Sequence, residues 1–329
     1  MPGFNEIVGH KEIIKHLQNS IALGKVSHAY IISGENGSGK SLLASAFAMT
    51  LQCQKKGTDP CLECSSCKRA LSQNHPDIIF VTSEKANSIG IEEIRTQVID
   101  DVAIKPYCSS YKVYVIRGAE KLTLQAQNAL LKTIEEPPAY AVILLLTSNQ
   151  DALLPTITSR CVKLSLRPLH ESMVKDFLME TMHIPDYQAS MDAVFSQGNI
   201  GKAKKMAESN EFNVMTERAI RVLRKSRELE WNELMDMIKD LIQDKESVDE
   251  YLDLYIMWFR DVLLYKATKD VDGLVFKDHL NSIKERAKQS SYEGVEKILD
   301  AIGKAKERLH ANVNFELVME LLFMTIREN

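Results

Sequence analysis

No stretch of this 329-residue sequence stays apolar over the roughly eighteen residues that a membrane-spanning helix needs. The first residues, 1–6, lack the charged and apolar regions of a signal peptide. Positive charge is not in excess either. The net charge is −4 and the isoelectric point is about 6.1, whereas a broad nucleic-acid-binding surface is normally basic. We therefore expect a cytoplasmic protein without a membrane partner, whose contacts with DNA are local or shared with other proteins.

Proline is absent from residues 210–329, and glycine is scarce there. This region carries several long amphipathic patterns, which are typical of a helical bundle. Residues 168–207 predict a smaller helical unit, interrupted by Pro185, Gly198 and Gly201. Together with the α/β pattern that precedes them, these features predict three domains, at residues 1–166, 167–208 and 209–329.

Four short apolar runs predict strands, at residues 29–32, 77–81, 111–116 and 141–146. Helical patterns occur before the first run and between the later runs, at residues 7–24, 91–98 and 126–133. The last of these helices should end before Pro137 and Pro138, because proline cannot continue a helix. Strands that alternate with helices are typical of a parallel, doubly wound α/β sheet.

A glycine-rich segment follows the first predicted strand and reads G-x-x-x-x-G-K-S over residues 34–41. Between a strand and a helix, this is the pattern of a phosphate-binding loop. Glycines let backbone N–H groups surround an anion, the lysine adds charge, and the serine hydroxyl can bind Mg²⁺. A chance match in a Gly/Ser loop is the alternative. The residues expected to bind nucleotide are Gly34, Gly37, Gly39, Lys40 and Ser41.

Four of the six cysteines lie within fifteen residues, in the pattern C-x7-C-x2-C-x2-C. Thiolates at this density suit a closed, tetrahedral Zn²⁺ site that stabilises the fold and leaves no position for catalytic water. Free or redox-active thiols and an iron–sulfur cluster are the alternatives. Cys108 and Cys161 lie far from the cluster and are expected to be ordinary thiols. The predicted zinc ligands are Cys53, Cys61, Cys64 and Cys67.

The acidic residues that ATP hydrolysis requires are missing from their expected place. A P-loop ATPase needs an acidic residue after a second strand to hold Mg²⁺, and often a glutamate beside it to activate water. Here Arg117 and Gly118 follow the predicted strand, and Glu120 comes two or three residues too late. We therefore predict little or no intrinsic ATPase activity. Arg160 could be an ordinary surface charge or an arginine finger for a neighbouring subunit, and residue chemistry alone leaves this undecided.

Several short segments, spread over nearly the whole chain, occur together in one family. Besides the loop at 34–41 and the four-cysteine insertion, they are His28-Ala29-Tyr30, His75-Pro76-Asp77, the segment from Asn128 to Pro138, Thr147-Ser148-Asn149, Ser159-Arg160-Cys161 and Ala311-Asn312-Val313-Asn314. In this combination the sequence resembles the AAA+ clamp-loader subunits of bacterial DNA polymerase III, and among them the delta-prime family.

The resemblance implies an AAA+ P-loop domain at 1–166, a helical lid at 167–208 and a helical collar for oligomerisation at 209–329. It implies that Arg160 is an arginine finger that acts in trans, and that Thr147 occupies the sensor-1 position. Gly201 stands where a motor subunit has its second-sensor arginine. Unlike some relatives whose phosphate loop has decayed, this chain keeps the loop intact, so that the loop is either a relic or a static site that binds ATP or ADP without hydrolysis.

The function implied is that of a non-hydrolysing, stator-like clamp-loader subunit. Its expected partners are motor (gamma/tau) and delta subunits in a hetero-pentamer, the sliding clamp, and primer–template DNA reached through the complex. The alternative is an active AAA+ ATPase like the gamma/tau motor subunit. A zinc-dependent DNA-binding factor is disfavoured by the negative net charge and by the few basic residues beside the cysteines, Lys68 and Arg69.

Overall fold

The computed structural model describes residues 3–83, 88–241, 248–271, 273–311 and 313–329. Asn312, part of the C-terminal motif noted above, lies outside these residues. The chain forms two compact units: Met1–Val174 with Gly198–Lys202, and Lys175–Gln197 with Ala203–Asn329. None of the described helices is long and apolar enough to cross a membrane. The division into three domains at 1–166, 167–208 and 209–329 stays a prediction.

The first unit contains a five-stranded parallel sheet. Its strands are β1 (Ala29–Ser33), β2 (Ile78–Val81), β3 (Lys112–Arg117), β4 (Ala141–Thr147) and β5 (Val162–Ser165), in the order β2-β3-β4-β1-β5. The prediction of a parallel α/β sheet is confirmed. Strand β5, at the edge beside β1, was not predicted. It is only four residues long and includes the exposed Lys163, so it lacks the apolar run that marked the other strands.

Helices cover both faces of this sheet. On one face lie α1 (Lys11–Ala22), α2 (Lys40–Gln52) and α3 (Ser65–Leu71), and on the other lie α4 (Ile91–Ile94, continued as a π-helix Arg95–Ile99), α5 (Leu124–Glu135) and α6 (Pro155–Thr158). Successive residues of β1 alternate between the two apolar cores, with Ile31 in one and Ile32 in the other. Both sheet faces are therefore buried, as the continuous apolar runs predicted.

The second unit contains helices and no strand among its described residues. The helices of this C-terminal region are α7 (Glu171–Met182), α8 (Asp186–Phe195), α9 (Ile200–Glu208), α10 (Asn210–Lys225), α11 (Trp231–Leu241), α12 (Val248–Thr268), α13 (Leu280–Gln289), α14 (Tyr292–His310) and α15 (Phe315–Glu328). The first residues of α7 and α9 belong to the first unit. One apolar core joins α8 to α15, and it includes an edge-to-face pair between Tyr255 and Phe323, whose ring centroids are 5.7 Å apart. The predicted helical C-terminal region is confirmed.

Candidate nucleotide site, arginine and cysteine cluster

The glycine-rich loop joins the end of β1 to the start of α2, which is the strand, loop and helix arrangement that the motif requires. Gly37 and Gly39 have φ values of 88° and 95°, a region that residues with a Cβ atom rarely adopt. Ser41 lies in the first turn of α2 and is exposed. The loop therefore has the backbone that a phosphate cradle needs, at the N-terminus of a 13-residue helix.

Lys40 turns back onto the loop that contains it. Its Nζ donates to the carbonyl oxygens of Gly34 at 2.5 Å and Glu35 at 2.8 Å. Burial lowers the pKa of Lys40, and the charges of Glu120 and Glu35 act in the opposite direction. The ammonium group thus lies beside the loop backbone, in the place from which it can contact a phosphate.

The segment 198–202 packs directly against the tip of this loop. Asn199 donates from Nδ2 to the carbonyl oxygen of Asn36 at 2.7 Å, and the N–H of Gly201 donates to the carbonyl oxygen of Gly37 at 3.0 Å. A Cβ atom at Gly201 would lie only 2.6 Å from the Cα of Gly37. Glycine at this position therefore permits a backbone contact that an arginine side chain would prevent in this arrangement.

The residues that end β3 do not present a carboxylate at the expected position. Arg117 is the last residue of the strand, and its guanidinium lies over the ring of Phe80, 4.7 Å from the centroid. Gly118 has a φ of 66° and begins a tight turn, after which Glu120 returns towards the end of β4. There Glu120 accepts from the hydroxyl of Ser148 at 2.7 Å.

The sequence places Glu120 two or three residues too late after β3 for the expected carboxylate, yet its charge acts on Lys40. Burial raises the pKa of Glu120, but hydrogen bonds that include those from Ser148 outweigh burial, so that its pKa lies below the usual value. The side chain is therefore an ionised carboxylate near the phosphate loop. Its distance from β3 in the sequence did not predict this position, because the turn at Gly118 brings a later residue back to the sheet edge.

Thr147, the predicted sensor-1 residue, is fully buried at the end of β4. Its hydroxyl donates to the carbonyl oxygen of Asn149 at 2.8 Å and accepts from the N–H of Asn149 at 3.1 Å. Its carbonyl oxygen accepts from the N–H of Gly34 at 3.2 Å. Thr147 therefore connects β4 to the start of the phosphate loop, while its hydroxyl stabilises its own turn.

Arg160 follows the short helix α6 and precedes β5. Its Nη2 lies 3.0 Å from Oε1 of Glu135, and its Nη1 donates to the carbonyl oxygen of Thr156 at 3.0 Å. The two side chains of the ion pair remain 42% and 45% exposed, so Arg160 is held in place but accessible from solvent. Glu135 lies in the segment from Asn128 to Pro138, and nothing in the sequence predicted its contact with Arg160.

The structure brings the four predicted cysteine ligands together. The sulfurs of Cys53, Cys61, Cys64 and Cys67 all lie within 4.8 Å of one another, and this group could hold a metal ion. The Sγ atoms of Cys61 and Cys67 are 3.9 Å apart. A tetrahedral Zn–S₄ site, with bonds of about 2.3 Å, separates its sulfurs by about 3.8 Å, so the donor set fits zinc.

The cysteine cluster also favours thiolates, the form that binds metal. Burial opposes ionisation of Cys64, but N–H donors from Cys67 and Gln54 outweigh it and lower the pKa of Cys64 to about 6. Hydrogen bonds from the N–H groups of Cys64 and Glu63 lower the pKa of Cys61. Burial raises the pKa of Cys67. Two of the four thiols are therefore prepared for metal binding by the backbone of their own loop.

The His75-Pro76-Asp77 segment ties this module to the sheet. His75 is buried, and its Nε2 lies 2.8 Å from the hydroxyl of Ser66, which itself donates to the carbonyl oxygen of Gln52. The N–H of Asp77 donates to Nδ1 of His75, and the carboxylate of Asp77 accepts two N–H groups from the loop before β3. Because Ser66 lies on α3 beside Cys67, this network fixes the cysteine module against β2.

The remaining cysteines differ in their surroundings. Cys108 is exposed, and Cys161 is half-buried with a pKa raised to about 11 by burial. Neither belongs to the metal-binding group found among the described residues.

Comparison with known proteins identifies the family. A family model described as "DNA polymerase III, delta subunit" matches residues 9–170, and one described as "DNA polymerase III, delta subunit, C terminal" matches residues 217–328. DNA polymerase III subunit delta' of Bacillus subtilis is 32% identical over 96% of this chain and 95% of that protein.

Subunits named tau or gamma are also similar. DNA polymerase III subunit tau of Bacillus subtilis is 26% identical over 99% of this chain but 62% of its own length. Subunit tau/gamma of Haemophilus influenzae is 38% identical over 53% of this chain and 25% of that protein. The similarity to the delta' protein covers both chains almost completely. The chain belongs to the delta-prime family of DNA polymerase III clamp-loader subunits.

Proposed function

We propose that this chain is the non-hydrolysing, stator-like subunit of an AAA+ clamp loader. It assembles with motor (gamma/tau) and delta subunits into a hetero-pentamer that loads the sliding clamp onto primed DNA during replication. The observation that carries this proposal is the different placement of two arginines, one at the end of β3 and one after α6. At the end of β3, Arg117 stacks on Phe80 where an ATPase needs a carboxylate, whereas Arg160 is accessible for use by another subunit.

Arg160 acts in trans as an arginine finger on ATP bound to an adjacent motor subunit. An arginine finger stabilises the negative charge that develops on the transferred phosphoryl group. The exposure of the Arg160 guanidinium and its attachment to α6 through Thr156 support this role, because the side chain is directed without being buried. Its ion pair with Glu135 is half-exposed and therefore weak enough to exchange for a phosphate.

The C-terminal helices join the collar of the assembly. Leu317, Leu321 and Met324 are exposed on α15 and lie four and then three residues apart, which places them along one face of the helix. A stripe of exposed apolar side chains is a feature of protein–protein contact surfaces. It supports oligomerisation through the region 209–329.

The cysteine module holds a structural zinc ion, and the phosphate loop holds ATP or ADP without turnover. For zinc, the support is the donor set of four sulfurs and the lowered pKa of Cys64. For nucleotide, it is the intact loop between β1 and α2 with Lys40 at its centre. Zinc would stabilise the fold, and it would take no part in chemistry, because four protein ligands complete its tetrahedron.

The test is a loader reconstituted from this chain and its motor and delta partners, with DNA-stimulated ATPase as the measurement. Arg160→Ala should reduce hydrolysis at the motor site it serves by about 10³-fold or more. Arg167→Ala, at an exposed arginine beyond β5, is the matched control and should leave the rate unchanged. A loader with Arg160→Ala that keeps full activity excludes the arginine-finger role.

One observation favours a second candidate function, an active ATPase like the motor subunit. The carboxylate of Glu120 lies near enough to Lys40 for its charge to act on the ammonium group. The purified chain would then turn over ATP on the order of 1 s⁻¹, and Glu120→Gln would abolish that turnover. Our proposal expects no turnover from either protein.

A further inference from the structure

A cavity of about 560 Å³ lies within the helical unit, between residues of α10, α12 and α13. Its volume falls in the range of small-molecule sites. The aromatic side chains of Trp258 and Phe259 line it from α12. The cavity lies in the region 209–329, to which the proposed function assigns only contacts with other subunits. The clamp-loader role therefore does not explain the polar lining of the cavity.

The lining of this cavity carries more positive than negative charge. Three glutamates line it. The cationic residues of the lining are five in number: Arg221, Arg224, Lys225, Arg227 and Arg286. Two of the glutamates have other partners, since Glu217 lies 3.3 Å from Nε2 of His279 and Glu285 is paired with the amide of Gln289. Among the described residues, no ion pair joins the arginines of the cavity to these glutamates, and the lining keeps a net positive charge.

Two of these arginines keep an unused donor inside the structure. Arg286 is only 8% exposed; its Nη2 donates to the carbonyl oxygen of Ile326 at 2.7 Å, and its guanidinium lies over the ring of Phe259. Arg227 donates from Nη1 to Oε1 of Gln289 at 3.2 Å. Among the described residues, no acceptor contacts the buried Nε of either arginine. A buried charged donor without an acceptor is costly, and an anion beside the two guanidinium groups would offset part of this cost.

The electrostatics of the cavity agree with this geometry. Burial, and then the charge of Arg227, lower the pKa of Arg286 to about 10. Two like charges beside the same cavity disfavour each other, and an anion between them would offset this repulsion. A guanidinium offers a planar fork of N–H groups, which matches the paired oxygens of a carboxylate or a phosphate.

We propose that the cavity between α10, α12 and α13 binds a small free oxyanion, a phosphate or carboxylate compound, through Arg227 and Arg286. The two guanidinium groups contact the bound oxygens through their Nη atoms, because each Nε is buried, while Arg221 and Arg224 at the exposed side of the cavity add charge. This site is separate from the phosphate loop in sequence and in fold, so it can be tested independently of the proposed function.

The experiment uses the full-length chain carrying Lys40→Ala, so that the phosphate loop contributes as little binding as possible. Isothermal titration calorimetry at low ionic strength measures binding of inorganic phosphate, citrate and ATP. Arginine Nε–H resonances in NMR spectra report the change in the surroundings of the two guanidinium groups when an anion binds. Arg227→Gln tests the site, and because Arg227 is half-exposed this change should not disturb folding. The control is Arg260→Gln, since Arg260 is an exposed residue of α12 outside the cavity lining.

We expect at least one of the three anions to bind with a Kd below about 5 mM and to shift two Nε–H resonances. Arg227→Gln should weaken this binding about tenfold or more, as expected for the loss of one charge-assisted hydrogen bond, and Arg260→Gln should leave it unchanged. Preference for phosphate and ATP, or for citrate, identifies the ligand chemistry. The proposal is overturned if none of the anions binds below that concentration, or if the two variants weaken binding equally.

Discussion

Arg160 and Glu135 form an ion pair, 3.0 Å long, between the segment after α6 and the last residue of α5. The pair joins two motifs that are 25 residues apart in the sequence. Since both side chains are nearly half exposed, the pair contributes little to stability, at most about 1 kcal/mol. Its significance lies in the orientation of Arg160, because the guanidinium must leave Glu135 to contact a phosphate.

Glu135→Gln should therefore change activity more than stability. With the competing carboxylate removed, Arg160 keeps its bond to Thr156, and the reconstituted loader should hydrolyse ATP about two- to fivefold faster at low ATP concentration. The free energy of unfolding should fall by less than about 1 kcal/mol. Glu136→Gln, at the exposed neighbouring residue, is the control, and equal rates for the two variants would contradict a role for the pair.

Removal of the proposed zinc ion should destabilise the first unit. We expect about one zinc per chain by elemental analysis, and a chelator should lower the midpoint of thermal unfolding by about 5 °C or more, since the bound ion stabilises only the folded state. Cys64→Ser should reproduce this loss, because it removes one of the four sulfurs. Cys108→Ser, at an exposed thiol outside the cluster, should keep both the zinc and the midpoint. A metal-free chain with an unchanged midpoint would exclude a structural zinc site.

Asp192 gives the helical unit a pH dependence. It is 1% exposed, its Oδ2 has no partner among the described residues, and burial raises its pKa from the ordinary 3.8 to about 7. The folded state therefore holds the proton more tightly than the unfolded chain does. Protonated Asp192 therefore favours the folded state. This contribution to the free energy of unfolding is complete below about pH 4 and is lost as the pH rises through 7.

Asp192→Asn should remove this dependence. At pH 8 the variant should be more stable than the parent, because it no longer buries a charge. The gain should be about 1–2 kcal/mol, since solvent and local relaxation screen part of the cost of burying the charge. At pH 4 the two proteins should have similar stability. Denaturant unfolding at both pH values measures the difference, and Asp176→Asn, at an exposed aspartate on α7, is the control. An equal gain for Asp192→Asn at both pH values would show that its titration is not the cause.

The features that the sequence predicted correctly are local ones. The strand before the loop, the helix after it and the clustered cysteines each depend on residues within about fifteen positions. The contacts of Arg160 with Glu135 and of Glu120 with Ser148 were not predicted, because they join segments separated by 25 and 28 residues. Strand β5 was missed because an edge strand buries little, so its sequence need not be apolar.

Gly201 shows how an absent side chain can have a structural reason. The sequence indicated only that a motor subunit's arginine is missing at this position. In the structure, the N–H of Gly201 bonds to the carbonyl oxygen of Gly37, and a Cβ atom would lie 2.6 Å from the Cα and 2.7 Å from the oxygen of Gly37. Both close atoms are backbone, so the contact cannot be relieved by rotation of a side chain.

Gly201→Ala should therefore separate the segment 198–202 from the phosphate loop. We expect a loss of about 1–3 kcal/mol in the free energy of unfolding, typical of an overpacked site, with faster amide exchange at Gly37 and Asn199. Gly303→Ala is the matched control. Gly303 lies within α14 with nothing within 4 Å of an added Cβ, so alanine there should stabilise the protein by about 0.5–1 kcal/mol. If both alanine variants stabilise the chain, the close approach of Gly201 to Gly37 does not constrain the loop.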